Sequence, residues 1–286
     1  MSGSAKISST ENSQRPRPAL FRALGGRDLP EQVQVDGATY CRVKEFKHDS
    51  WAATALYENG NNERIVCKFN RTQSVFGFPL IGVGWLLARR ENKMFARLRD
   101  VANVPAGCGG VILHGKRLSN VSAHQFIEGE TLRIGTSVGD SFFDELDCVL
   151  RQLHRRNIAY VDLHKCENVI VGKDGKPYLI DFQISLYLPP IWPLTAIMRV
   201  FQQCDLYHVA KMKLRVRAGT LNVGWKELEE IRPWWIRIHR IIGVPFRQVR
   251  RKLFVLLGIR SKEGAASSEQ NPEEGLRTIS SMKKAA

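Results

Sequence analysis

The sequence predicts an α+β chain in which an antiparallel β-sheet lobe is followed by a mainly helical lobe. Three observations predict it. Short runs rich in Tyr, Val, Ile and Phe, bounded by turn-forming residues, fill the stretch from Thr39 to Asn70. Two later segments keep an apolar face at the 3.6-residue helical period. After the second of them, "NVIV", "GKDG" and "PYLID" read as an apolar run, a turn and a second apolar run, which is a small hairpin.

The chain has 286 residues, 43% of them hydrophobic, enough to bury a substantial core in one large domain or two small ones. Its formal net charge of +15 points to acidic partners: nucleic acid, anionic lipid or phosphorylated ligands. Cys41, Cys67, Cys108, Cys148, Cys166 and Cys204 stand singly, with no CxxC pair and no zinc-ligand spacing. Reduced, mostly buried thiols in the cytoplasm are therefore expected. The opening "MSGSAKISSTENSQRPRP" lacks an apolar signal core, and no stretch reaches the roughly 18 uninterrupted apolar residues of a membrane span. Neither a cleaved signal nor a bilayer crossing is expected. Residues 1–35 and 263–286 are rich in Ser, Pro, Gly and charge, and disorder is expected in both.

In order along the chain, "TYCRVKEF", "TALYE" and "RIVCKFN" predict three strands of a meander, with "NGNN" turning between the last two. A helix follows with Leu87, Glu91, Met94, Phe95 and Leu98 on one face, which puts the acid Glu91 on an apolar surface. A second strand pair is expected from "GVILHGK" and "VSAHQFIEG". Ser141 then opens a helix carrying Phe142, Phe143, Leu146, Val149, Leu150 and Leu153. Ser141 and Asp144 have capping-box spacing, and Asn157 suits a left-handed stop. The lobes, residues 36–130 and 131–262, are expected to join near "FIEGETL", with no internal repeat.

The hairpin doubles the chain back so that Asp181 returns beside Asn168, bringing two hard oxygen ligands to one end of it. Asp162 sits just upstream in a loop that leaves the long helix. Oxygen ligands with a nearby base suit magnesium and phosphoryl transfer; loop capping and turn formation are the plainer reading of the same residues.

The run "YVDLHKCEN" resembles the catalytic loop of the protein-kinase-like superfamily, and "IDF" resembles the start of its metal-binding Asp-Phe-Gly motif. The resemblance spans roughly Thr39 to Lys213 and implies the bilobal protein-kinase-like fold, with ATP and Mg2+ as cofactors. It implies Asp162 as the base for the acceptor hydroxyl, and Asn168 and Asp181 as the metal ligands. Lys68 in "IVCKFN" fits the strand lysine that pairs the nucleotide phosphates, and Glu91 fits the helix acid that holds it. Five residues separate Asp162 from Asn168 where the family has four, so His164 or Lys165 fills the phosphate-contacting position, with Lys165 favoured. Ser50 and Trp51, in the glycine-free "KHDSWAAT", resemble a variant flap tip over the nucleotide. Asp205 matches the helix acid that ties down the catalytic loop through backbone N–H groups. Tyr160-Val161 stands where His-Arg is usual, and Gln183 where Gly is usual; these departures count against regulation by a flipping Asp-Phe-Gly segment more than against the chemistry.

Residues 232–262, "RPWWIRIHRIIGVPFRQVRRKLFVLLGIRSK", contain no acid, and Phe246, Val249, Leu253, Leu256 and Leu257 share a helical face opposite Arg247, Arg250 and Arg251. The readings are a helix packed on the second lobe, an interfacial helix on an anionic membrane, or a nucleic-acid contact without specific recognition. For "VFGFPLIGVGWLLA" and "LYLPPIWPLTAIMRVF", buried core is the expectation and membrane contact the alternative.

No Ala-Pro-Glu signature follows Asp181, so a broad peptide platform is not expected. The short segment and glycine-poor flap resemble the atypical bacterial branch that includes lipopolysaccharide core sugar kinases and RIO-like kinases. That resemblance implies a cytoplasmic enzyme, peripheral at the inner membrane face, phosphorylating a lipid-linked saccharide. The alternatives are a RIO-like serine/threonine kinase with a protein substrate, and a non-catalytic scaffold.

Overall fold

A computed structural model describes residues 19–74 and 78–217. Five strands form in the first lobe before and around a single helix: β1 (Gln32–Val35), β2 (Ala38–His48), β3 (Ala52–Asn59), β4 (Arg64–Asn70), then α1 (Ile81–Arg97), and β5 (Ile112–Leu113). β6 (Lys116–Arg117) and β7 (Val121–Gln125) complete a seven-stranded sheet ordered β6-β5-β1-β2-β3-β4-β7, antiparallel at every pairing. The meander is as expected. Its "NGNN" corner is held by Asn59, whose Oδ1 accepts from the backbone N–H groups of Asn61 and Glu63, both at 2.9 Å, while Asn62 takes φ +60°.

Two expectations for this lobe are corrected. Residues 19–35 are not a disordered tail: β1 zips onto β2 and buries Val33 and Val35, because "QVQV" supplies a clean two-residue alternation to an open sheet edge. "GVILHGK" and "VSAHQFIEG" do not pair with each other. The first closes on itself as the β5–β6 hairpin, and β7 pairs with β4 instead. Residues 1–18, the "GVP"-containing basic segment at 232–262 and the 263–286 tail lie outside the described residues.

The chain then runs through β8 (Gly129–Thr131), at the stretch where the sequence suggests a junction. After it come α2 (Phe142–Arg155), β9 (Ile158–Ala159), β10 (Val169–Gly172), β11 (Pro177–Leu179), β12 (Leu186–Tyr187) and α3 (Leu194–Val216). All six apolar residues expected on α2 are buried. Ser141 does not cap Asp144 but donates from Oγ to Glu145 Oε1 at 2.8 Å. Asn157 takes φ +54°, the left-handed stop its sequence position suggests. Two cores result. One lies within the sheet lobe around Val33, Tyr57, Cys67 and Phe69. The other joins the lower half of α1 (Met94, Phe95, Leu98) to α2, Tyr160 and Phe182.

The described part of the first apolar stretch, 78–88, and the second, 186–201, depart most from expectation: they are largely at the surface. Phe78 is 73% exposed and Trp192 86%, with Ile81, Trp85, Leu86, Ile191 and Ile197 also exposed. Among the cysteines only Cys67 is buried; Cys41 and Cys148 are exposed, and none of the six forms a disulfide. No helix among the described residues is long and apolar enough to cross a membrane.

Candidate functional site

Strand register builds one wall of the site. Lys68 on β4 lies opposite Thr54 on β3 and Ser122 on β7. Its ammonium sits 3.6 Å from Glu91 Oε1 and 2.8 Å from Asp181 Oδ1. Glu91, which the helical period put on the apolar face of α1, is almost fully buried there. Ser122 donates its hydroxyl to Glu91 Oε2 at 2.5 Å, and the Phe182 backbone N–H also bonds this carboxylate. A buried carboxylate needs such partners, since isolated burial of its charge is prohibitively costly.

Electrostatics follow the distances. Burial pulls the Lys68 ammonium down, but Glu91 and then Asp181 outweigh it, so its pKa is raised. Burial pushes Asp181 up, yet the closer Lys68 wins and holds it below the ordinary carboxylate range. Glu91, deeper and farther from the ammonium, is raised by burial despite Lys68, with the charge of Asp181 adding to the rise.

The hairpin forms the opposite wall. β10 and β11 pair with Val169 opposite Leu179 and Ile170 opposite Tyr178, and the Ile180 N–H donates to the Asn168 carbonyl at 3.0 Å. Asp181 thus follows directly on the residue bonded to Asn168, as the sequence suggests. Asn168 spends its amide hydrogens on the Asp162 carbonyl at 3.1 Å and carboxylate Oδ2 at 3.0 Å, which leaves its own Oδ1 as an acceptor. An amide oxygen and a carboxylate are the hard donors that magnesium takes together with water and phosphate oxygens. Among the described residues no group of three or more His, Cys, Asp and Glu side chains has metal-binding geometry.

Asp162 is buried, with Lys165 Nζ 2.8 Å from Oδ2 and His164 Nδ1 3.1 Å from Oδ1. His164 and Lys165 therefore each flank one oxygen of the same carboxylate. Oδ1 is buried and takes part in no well-directed hydrogen bond, with the His164 ring as its polar neighbour. The loop itself is bent: Val161 takes φ +73° and Asp181 φ +61°, both unfavourable for residues other than glycine. Asp205 holds the first bend. Its Oδ2 accepts from the Tyr160 N–H at 2.7 Å and its Oδ1 from the Val161 N–H at 2.8 Å, with His154 Nε2 3.1 Å from Oδ2.

Ser50 and Trp51 are placed less simply. They form the corner between β2 and β3, where Asp49 Oδ1 accepts from the N–H groups of Trp51 and Ala52 at 2.7 and 2.9 Å. Trp51 is 56% exposed, and the Ser50 hydroxyl donates to the Phe21 carbonyl at 2.8 Å, so it serves the N-terminal segment.

Sequence reasoning misses Ser122, whose role depends on a strand partner chosen across the sheet. It also misses what Gln183 does: its side-chain amide bonds Asn70 Oδ1 at the end of β4, fastening the chain after Asp181 to the sheet lobe. Phe182 is fully buried between Phe95 of α1, 5.7 Å away by ring centroids, and Tyr160, 5.2 Å away.

No protein-family model and no curated protein matches the chain. Among solved structures it is similar to the Rio2 kinase–ADP/Mg2+–phosphoaspartate complex from Chaetomium thermophilum, at 12% identity over 85% of this chain and 71% of that one, TM-score 0.47. The Rio2 kinase from the same organism is similar at 10% identity over 86% and 74% of the respective chains, TM-score 0.45.

Proposed function

We propose that the chain is an ATP- and Mg2+-dependent phosphotransferase whose acceptor is a hydroxyl group on a membrane-associated glycolipid of the lipopolysaccharide type. The observation that supports the transfer chemistry is that Lys68 joins Glu91 to Asp181, while Asn168, which holds Asp162, is tied through its carbonyl to Ile180, the residue before Asp181. The division into lobes at about residue 130 belongs to the same reading.

Phosphoryl transfer asks mainly for positioning and charge neutralisation. Lys68, oriented by Glu91, offers its ammonium to nucleotide phosphates. Asn168 and Asp181 would hold magnesium, which when bound neutralises phosphate charge. Asp162, fixed by Asn168 and Lys165, is the group that would meet the acceptor hydroxyl and take up or orient its proton. For the acceptor class, the support is the short path from Asp181 to α3 at Leu194, which leaves little chain for a peptide platform, and the apolar, basic surface beside it.

The test is ATP consumption by the full chain with magnesium, wild type beside Asp181→Asn, with and without a lipid extract. Turnover lost in the variant and stimulated by lipid is expected. Ready phosphorylation of peptides or of the chain itself, with no response to lipid-linked sugars, would replace the glycolipid with a protein substrate. Nucleotide binding without turnover in any condition would make the chain a scaffold.

A further inference from the structure

We propose that the chain docks on an anionic lipid surface through one face, made by the first half of α1 and the segment 184–197 that follows the site. Both stretches expose large apolar side chains: Ile81, Trp85 and Leu86 on the first, with Phe78 just before it, and Ile191 and Trp192 on the second. Scattered single apolar residues on a surface mean little, but clusters of this size mark an interaction site.

The two stretches are joined. Arg90 Nη2 donates to the Ser185 carbonyl at 3.1 Å, and the Arg97 guanidinium lies over the Tyr187 ring, 4.2 Å from its centroid. Leu86 lies on the side of α1 that carries Arg90 and Arg97, the residues that reach the second stretch, while Ile81, Trp85 and Arg89 form the neighbouring exposed stripe.

Charge selects the occupant. From Arg71 to Arg99 the only acid is Glu91, which is buried against Lys68, while Arg89, Arg90, Lys93, Arg97 and Arg99 line the rest. From Ile184 to Cys204 there is no acid at all. The Arg89 guanidinium sits 5.1 Å from the Trp85 ring centroid, so cation and aromatic are presented together, as at a headgroup boundary. The chain's own segment 232–262 is also basic and acid-free, so it and this face repel each other. A second copy would set the same basic face against itself. An anionic bilayer accepts the face through both its charge and its apolar side chains.

The docking deepens the glycolipid reading, because α1 carries Glu91 on its inner side and the second stretch follows directly from Asp181. The experiment is kept free of ATP, so its failure and that of the transfer reading are separate results. Full-length protein is sedimented with vesicles of phosphatidylcholine alone or mixed with phosphatidylglycerol. Retention by the mixed vesicles only is expected, weakened about tenfold or more by Arg89→Glu with Lys93→Glu. Trp85→Ser with Trp192→Ser should weaken it comparably, and Val43→Ser, at an exposed position on β2, should not. If the tryptophan pair fails to fold, the charge pair decides. No retention of wild type, retention unchanged in both paired variants, or loss confined to Trp234→Ser with Trp235→Ser would overturn the proposal. So would a lipid-free dimer that the Trp192→Ser change dissociates.

Discussion

Lys68 and Asp181 meet at 2.8 Å, one from the sheet lobe and the other from the end of the hairpin in the helical lobe. Because Lys68 also reaches Glu91, a single ammonium couples the position of α1 to that of the hairpin. Anything that occupies the ammonium, a nucleotide phosphate above all, competes with this bridge between lobes.

Asp162 should separate chemistry from binding. We expect Asp162→Ala to lower the phosphoryl-transfer rate by about a hundredfold or more with nucleotide affinity nearly unchanged. Single-turnover rates beside fluorescent-nucleotide titrations would check it. Equal losses in both would make Asp162 a loop-holding residue only.

Ser122 carries no proposed chemistry, yet its hydroxyl satisfies a buried carboxylate. Ser122→Ala should cost about 1–3 kcal/mol in urea unfolding, because Glu91 loses a donor that water cannot replace. Ser122→Thr, which keeps the hydroxyl, should lose less.

Asp205→Ala removes the acceptor of two backbone N–H groups that hold the strained Val161 turn. We expect a loss of about 3 kcal/mol or more in stability, since these are charge-assisted bonds in a buried place. Transfer should fall as well, as Asp162 is the next residue in the loop. A variant as stable and as active as wild type would show that the turn holds itself.

Gln183→Gly should free the chain after Asp181 from Asn70. Faster amide hydrogen exchange at residues 183–186, with the β10–β11 hairpin unchanged, is the expected result. Unchanged protection would assign the fastening to Ser185, whose hydroxyl donates to the Tyr160 carbonyl at 3.1 Å.

Stability should fall on mild acidification. Burial lowers His124 to about 4 and His208 to about 3, the latter helped by His164. Unfolded imidazoles take up protons near 6.5, before the folded ones do, so the unfolded state binds more protons in the window between. Their contribution is complete above about 6.5 and is lost as pH drops through that window towards 4. Thermal melts from pH 7 to 4 on wild type and His124→Gln would check this, the variant showing the shallower decline.

The meander, α2 and the hairpin were legible because each rests on local signals: alternation, a 3.6-residue period and a Gly/Asp turn. Glu91 was legible for a physical reason too, as an acid on an apolar helix face demands a buried cation. Strand partners were not: β7 chose β4 over its sequence neighbour, and with it came Ser122 beside Lys68. β1 was hidden because four alternating residues adjoin a stretch with the composition of a tail. The surfaces at 78–86 and 184–197 were misjudged because hydrophobicity measures the gain from burial and says nothing of whether the fold supplies a covering partner.

The corner at Ser50 and Trp51 is strapped from outside the sheet. Phe21 accepts from the Ser50 hydroxyl, Ala23 donates to the Asp49 carbonyl at 2.8 Å, and Arg71 bonds the carbonyls of both Ser50 and Leu20. A corner without glycine and tied this way shifts mainly when residues 20–23 let go, and under the proposed reading it is the flap over the nucleotide. The consequence is temporal: nucleotide should exchange slowly in both directions, with affinity changed far less than residence time. Stopped-flow exchange on wild type and Ser50→Ala would read it directly as faster entry and faster escape in the variant.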